Sequence, residues 1–193
     1  IRLDDAATGR EYALLSPATK LIDLPVPTKT CYEKADVLRQ MSPSAGWKPG
    51  RVVKAIYDAF DDDVCGFVFP ERRPLQHPSK MKPFITGDLV AKMYRQVGLS
   101  FSEGYLARSS WYIPEGMASG TCSPFPTYRE MSFIDHLFID DAPELKGKIV
   151  DVSIGGLDEH SQRRSLHLPY DYIADLLQDQ FGKDKIHIVR MKE

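Results

Sequence analysis

The chain has 193 residues, 42% hydrophobic and 27% charged, with 25 basic against 27 acidic side chains and a formal charge of -2. An aromatic content of 10% excludes a mainly disordered chain. No apolar run approaches the roughly 18 residues of a membrane span, and the near-neutral balance argues against a dedicated nucleic-acid binder. The length predicts one domain over 1–193, and the start at Ile1 marks a processed chain or a fragment of a longer one. Cys31, Cys65 and Cys122 form no C-x-x-C pair, which removes the usual zinc and thioredoxin patterns. Their odd number fits a reducing, cytoplasmic setting, or one bridge with one free thiol.

Glu11–Ser16 reads as a strand, and the segment after it is held extended by Pro25 and Pro27. The hydroxyls of Thr28 and Thr30 can cap a helix over Cys31–Met41, in which Cys31, Ala35 and Leu38 share one face. Ser42–Gly46 ends it. Arg51–Phe60 and Val64–Phe69 are strands around the acidic turn Asp61–Asp63. Residues 70–83 form a proline-punctuated loop, Ile85–Val97 a helix, Gly104–Ile113 a strand and Pro114–Pro126 a second loop.

Ser132–Ile139 and Lys148–Ile154 are strand candidates joined by a connection suited to a hairpin. Gly155 and Gly156 break the second strand. Pro169–Gln180 is an amphipathic helix, and Lys185–Arg190 a closing strand. Strands that cluster as neighbours predict an α+β fold with a mostly antiparallel sheet and the Cys31 helix packed on it.

Chemistry concentrates on Cys31. Free N–H groups and the helix dipole at a first turn favour thiolate over thiol, and a thiolate nucleophile needs a base with an orienting acceptor. His136 and Asp151, on the two strands of the expected hairpin, fit those roles if the strands pair.

The order Cys31-Tyr-Glu-Lys-Ala35-Asp-Val-Leu38, Gly46-Trp-Lys-Pro-Gly-Arg51-Val-Val53, then Asp135-His136-Leu-Phe-Ile and Ile149-Val-Asp151 resembles the transglutaminase-like branch of the papain-like thiol enzymes. The resemblance covers residues 31–53 and 132–154. It implies a papain/transglutaminase-like core with Cys31 as nucleophile, His136 as base and Asp151 orienting it. It further implies a thiol-dependent amide hydrolase or acyltransferase acting on a protein or peptide. No cofactor or metal is expected from the residue spacing. Thr30 before the cysteine, where the family commonly has a nearby glycine, and the long 61–130 segment depart from the pattern, and beside the family 61–130 reads as an insertion or elaborated segment.

Structural readings stand beside these. Cys31 on an apolar face can be a small buried hydrophobe, and Asp151 can lie on a solvated strand face. Cys122, in a loop shortly before His136, is an alternative nucleophile. His160, His167 and His187 have no metal-ligand spacing. The competing function is a non-catalytic interaction module on the same fold, with Trp111, Tyr112 and Phe125 as anchors. Loops 70–83 and 114–126 are expected outside the sheet, with at least one bordering Cys31.

Overall fold

The computed structural model describes residues 18–41, 50–71, 85–101 and 106–191; the strand expected at 11–16, the helix end at 42–46 and most of the loop at 70–83 lie outside them. The elements in chain order are β1 (Lys20–Asp23), α1 (Cys31–Gln40), β2 (Arg51–Phe60), β3 (Asp63–Pro70), α2 (Gly87–Gln96), β4 (Arg108–Trp111) and α3 (Tyr128–Met131). There follow β5 (His136–Asp140), β6 (Ile149–Ser153), α4 (Glu159–Gln162), β7 (Arg164–Pro169), α5 (Asp171–Phe181) and β8 (Ile186–Val189). This is α+β, as the clustering of strands implied.

The described strands form one eight-stranded sheet in the order β1-β7-β6-β2-β3-β5-β8, with β4 also paired to β2. It is mixed rather than mostly antiparallel: β2–β6, β3–β5 and β5–β8 are parallel, and the other pairs antiparallel. The expected hairpin is absent. β5 and β6 are separated by β2 and β3. The connection between them leaves β5 through Ala142, at a positive φ of 35°, and a 3₁₀ turn at Pro143–Leu145. The tight pair in this fold is instead β2–β3, in register from Val53↔Pro70 to Phe60↔Asp63. β3, from the segment read as an insertion, therefore lies inside the sheet, between β2 and β5.

Helix α1 forms where the caps predict. The Thr30 hydroxyl accepts from the Glu33 N–H at 3.1 Å, while the Glu33 carboxylate accepts from the Lys29 N–H at 2.7 Å. Its inward stripe is Cys31, Lys34, Ala35 and Leu38, the i, i+3, i+4, i+7 face of a helix with a lysine at one core position. That stripe packs with Leu24 and Val52 as a small cluster of its own. The two larger clusters lie elsewhere. One gathers β2, β3, β5, β6, β7 and α5 side chains, and the other sits beneath α2 around Phe67, Tyr94 and Phe138. Among the described residues no helix is long and apolar enough to cross a membrane.

Candidate functional site

The polar chemistry of the molecule gathers beneath α1, where β6 and β7 run side by side. Asp151 is fully buried, at 0% exposure. A carboxylate there must be compensated by donors, and three are supplied. The Gly50 N–H donates to Oδ2 at 2.7 Å, the Ser165 hydroxyl donates to Oδ1 at 3.2 Å, and His167 Nδ1 stands 3.2 Å from both oxygens. A carboxylate partner makes that ring nitrogen the protonated one. The antiparallel register places Asp151 opposite His167 and Ser153 opposite Ser165. Gly50 is required for the approach: a Cβ at that position would stand 2.6 Å from the Ile149 carbonyl oxygen.

Lys34 reaches down into this region. It is 1% exposed, and its Nζ donates to Ser153 Oγ at 3.0 Å and to the Arg164 carbonyl at 3.3 Å. Burial lowers its pKa to about 8, a shift opposed by the attraction of Asp151. Lys34 and Ser153 line a closed polar gap with Thr28, Thr121, Gly155, Ser161 and Gln162 that is too tight to admit a water molecule. Gly155 and Gly156 have φ of 81° and 89°, a left-handed backbone that breaks β6 at the wall of this gap.

The loop at 114–126 closes the other side. Gly120, at φ 88°, lies so close to α1 that a Cβ would stand 2.4 Å from the Lys29 carbonyl oxygen. The Tyr57 hydroxyl donates to the Ser123 carbonyl at 2.6 Å and ties the loop to β2.

Cys31 stands at the first turn of α1, 4% exposed. Burial pushes its thiol up in pKa, against the pull of Lys54 and Lys34. Desolvation thus outweighs both cations, contrary to the activation the helix terminus suggested. Lys54, on β2, holds its ammonium 5.3 Å over the Tyr32 ring.

The hydrogen bond expected between His136 and Asp151 is not formed; Asp151 has His167 instead. His136 is on β5, three strand spacings from β6, or about 14 Å at ordinary sheet spacing, far beyond a side-chain hydrogen bond. Its Nδ1 lies 3.1 Å from Nε2 of His187, and its Nε2 lies 4.0 Å from Asp63. The Tyr94 hydroxyl donates to Asp63 at 2.7 Å, in a second polar group beneath α2. Desolvation lowers the pKa of both histidines, His187 to about 4 with His136 as the next cause.

Cys122 is half-buried, its Sγ 3.5 Å from the Ala118 carbonyl. Of the anchors considered for a partner surface, Phe125 is core and Tyr112 packs against that core, while the Trp111 side chain lies outside the described residues. Among the described residues no group of three or more His, Cys, Asp or Glu side chains is placed to hold a metal.

The sequence points to no role for Lys34, Ser153 or Ser165, and His167 is weighed there only as a metal ligand. A lysine at i+3 between Cys31 and Leu38, on a face otherwise apolar, was the available signal.

No family model matches the chain, and no curated protein matches it. Solved structures do. One is a scaffold protein from the computational grafting of linear epitopes, 16% identical over 98% of this chain and 97% of that one, with a TM-score of 0.54. Another is a hypothetical protein, 17% identical over 95% and 97% of the two chains, TM-score 0.53. A third, a putative trans-editing enzyme for prolyl tRNA synthetase, is 17% identical over 98% of this chain and 96% of its own, TM-score 0.51. At these identities the likeness extends to the fold.

Proposed function

We propose that this chain is an acyl-ester hydrolase of the editing kind, cleaving an amino acid from the 3′ end of a wrongly charged tRNA. The observation that carries the reading is the buried polar group beneath α1, in which Lys34, Asp151, Ser153, Ser165 and His167 lie together. Editing is hydrolysis of an ester in a site separate from the one that made it. The fold likeness to a trans-editing protein adds to the reading. Lys54, the half-buried cation beside Cys31 and Tyr32, is placed to offset negative charge growing on an ester carbonyl oxygen. A formal charge of -2 does not favour extended nucleic-acid contacts, so this reading confines recognition to the acylated end of the substrate.

A thiol-nucleophile reading retains one observation in its favour: Lys54 and Lys34 both draw the Cys31 pKa down. One experiment separates the two. Radiolabelled aminoacyl-tRNA, correctly and incorrectly charged, is incubated with wild-type protein and with the Cys31→Ala and Lys54→Met variants. The editing reading expects release of amino acid from mischarged tRNA, kept in Cys31→Ala and lost in Lys54→Met. Release abolished by Cys31→Ala alone would return the thiol to the role of nucleophile, and no release from any charged tRNA would remove the substrate class.

A further inference from the structure

Lys54 and Tyr32 meet across the seam between β2 and α1. The Lys54 ammonium stands 5.3 Å from the Tyr32 ring centroid. No hydrogen bond or ion pair ties that ammonium to a described residue. A cation held by a π face keeps its three N–H groups, whereas a carboxylate partner would take one of them and offset the charge. Unlike the gap beneath α1, this seam is open to solvent: Tyr32 and Lys54 are both half-buried, and an open cleft of 440 Å³ lies between Ala35 and Leu38 of α1 and Val52 of β2.

The ring is fixed by its surroundings. Tyr32 packs against the cluster of Leu24, Cys31, Ala35, Leu38 and Val52, and α1 is clamped on both sides of it. Two residues after Tyr32, the Lys34 ammonium donates to Ser153 Oγ and to the Arg164 carbonyl. Before it, Thr30 caps the helix, and Gly120 closes on the Lys29 carbonyl. β2, which carries Lys54, is held at its entry by Asp151 through the Gly50 N–H. The buried polar group thus anchors both elements of the pair without meeting a substrate itself.

We propose that Tyr32 is the positioning residue for Lys54: its ring face holds the ammonium in one place at the seam and leaves all three N–H groups for the carbonyl oxygen of a substrate. This rests on the ester-hydrolysis reading, in which Lys54 offsets the charge growing on that oxygen, and names what aims it. A donor set in place beforehand costs no reorganisation as the charge develops. A lysine on its own is a flexible four-carbon stem with about 2 kcal/mol of rotamer entropy, and a misplacement of about 1 Å can cost on the order of 100-fold in rate. The role belongs to the ring and not to the tyrosine hydroxyl.

The test takes two readouts on wild type, Tyr32→Phe and Tyr32→Leu, folding being followed by near-ultraviolet circular dichroism. The first is the NMR shift of the Lys54 ε-methylene protons in protein carrying isotope-labelled lysine, assigned by its loss in Lys54→Met. A lysine held over an aromatic face is shifted upfield there. The second is kcat and KM for hydrolysis of mischarged aminoacyl-tRNA. The expected result is an upfield shift in wild type and Tyr32→Phe that disappears in Tyr32→Leu. With it, kcat should stay near wild type in Tyr32→Phe and fall roughly 10- to 100-fold in Tyr32→Leu, while KM changes by less than about threefold. If tRNA is hydrolysed and Tyr32→Leu keeps its kcat, or Tyr32→Phe loses as much, positioning by the ring is overturned while the editing reading stands. An upfield shift in a wild type that hydrolyses no charged tRNA supports the hold of Tyr32 on Lys54 and removes the tRNA substrate. No upfield shift in folded wild type overturns the proposal whatever the activity.

Discussion

Replacing Asp151 by alanine removes the acceptor on which the polar group is built. Buried Ser165 and His167 and half-buried Gly50 each lose a partner, and the Lys34 ammonium loses the nearest compensating charge. An orphaned buried donor costs about 1–3 kcal/mol, and breaking a buried ionic pair by removing one member costs roughly 3–5 kcal/mol. These costs overlap because one relaxation serves several donors, so the expected loss is about 4 kcal/mol, not their sum. In a chain of this size that corresponds to a fall in Tm of roughly 8–16 °C. Urea unfolding gives the loss directly, as a lower midpoint at unchanged slope. Adding Lys34→Met removes the charge that the first substitution strands, so the double variant should be more stable than the sum of the singles by at least about 1 kcal/mol. A loss below about 1 kcal/mol for Asp151→Ala, or strict additivity in the double variant, would refute the claim that these residues form one compensated unit.

Three further outcomes follow from the titrating groups. Lys34 has a pKa of about 8 in the folded chain against 10.5 unfolded. The unfolded state thus binds more protons between those values, and stability should rise with pH across that window by on the order of 3 kcal/mol; Lys34→Met should flatten the rise in urea midpoints measured from pH 7.5 to 10.5. His187 has the same sign at lower pH. Desolvation, then repulsion from His136, holds it near 4, so stability is full above 6.5 and falls as pH drops toward 4. His187→Gln should remove part of that acid limb, and an unchanged limb would show that the His136–His187 contact carries no titration cost. Iodoacetamide at pH 7.5 followed by peptide mapping should modify half-buried Cys122 first, Cys31 slowly and Cys65, buried and pushed up to about 12, not at all; Cys31 reacting first would favour the thiol nucleophile.

How far the sequence could be read depended on whether each residue's surroundings were local. The helix α1 was legible because its determinants lie within a few residues: the Thr30 cap and the Cys31, Ala35, Leu38 stripe. β2, β3, α2 and α5 were legible from periodicity for the same reason. The strand expected from Ser132 begins four residues late because Thr127 and Glu130 form a capping box, which turns 128–131 into a short helix. β1 was read only as an extended segment, and β7 was missed. Ser165 and His167 alternate with Leu166 and Leu168 in the manner of a strand with one wet face, yet both faces are buried.

The reason lies in a partner distant in sequence, and it links the missed strand to the misplaced triad. A polar residue in a strand reads as solvent-facing because, without a partner, burial would cost several kcal/mol. Ser165 and His167 escape that rule because Asp151 on the next strand accepts from both, and Asp151 escapes it because they donate. Neither half of such an arrangement is visible alone; periodicity registers the polarity and cannot register its compensation. The same gap led from Asp151 to His136, since a sequence offers histidines by order and proximity along the chain, whereas register offers them by strand order. Once β7 is placed beside β6, Asp151 faces His167 through pairing alone, and Lys34, a lysine on an apolar helical face, is the one local sign that a buried carboxylate had to lie beneath it.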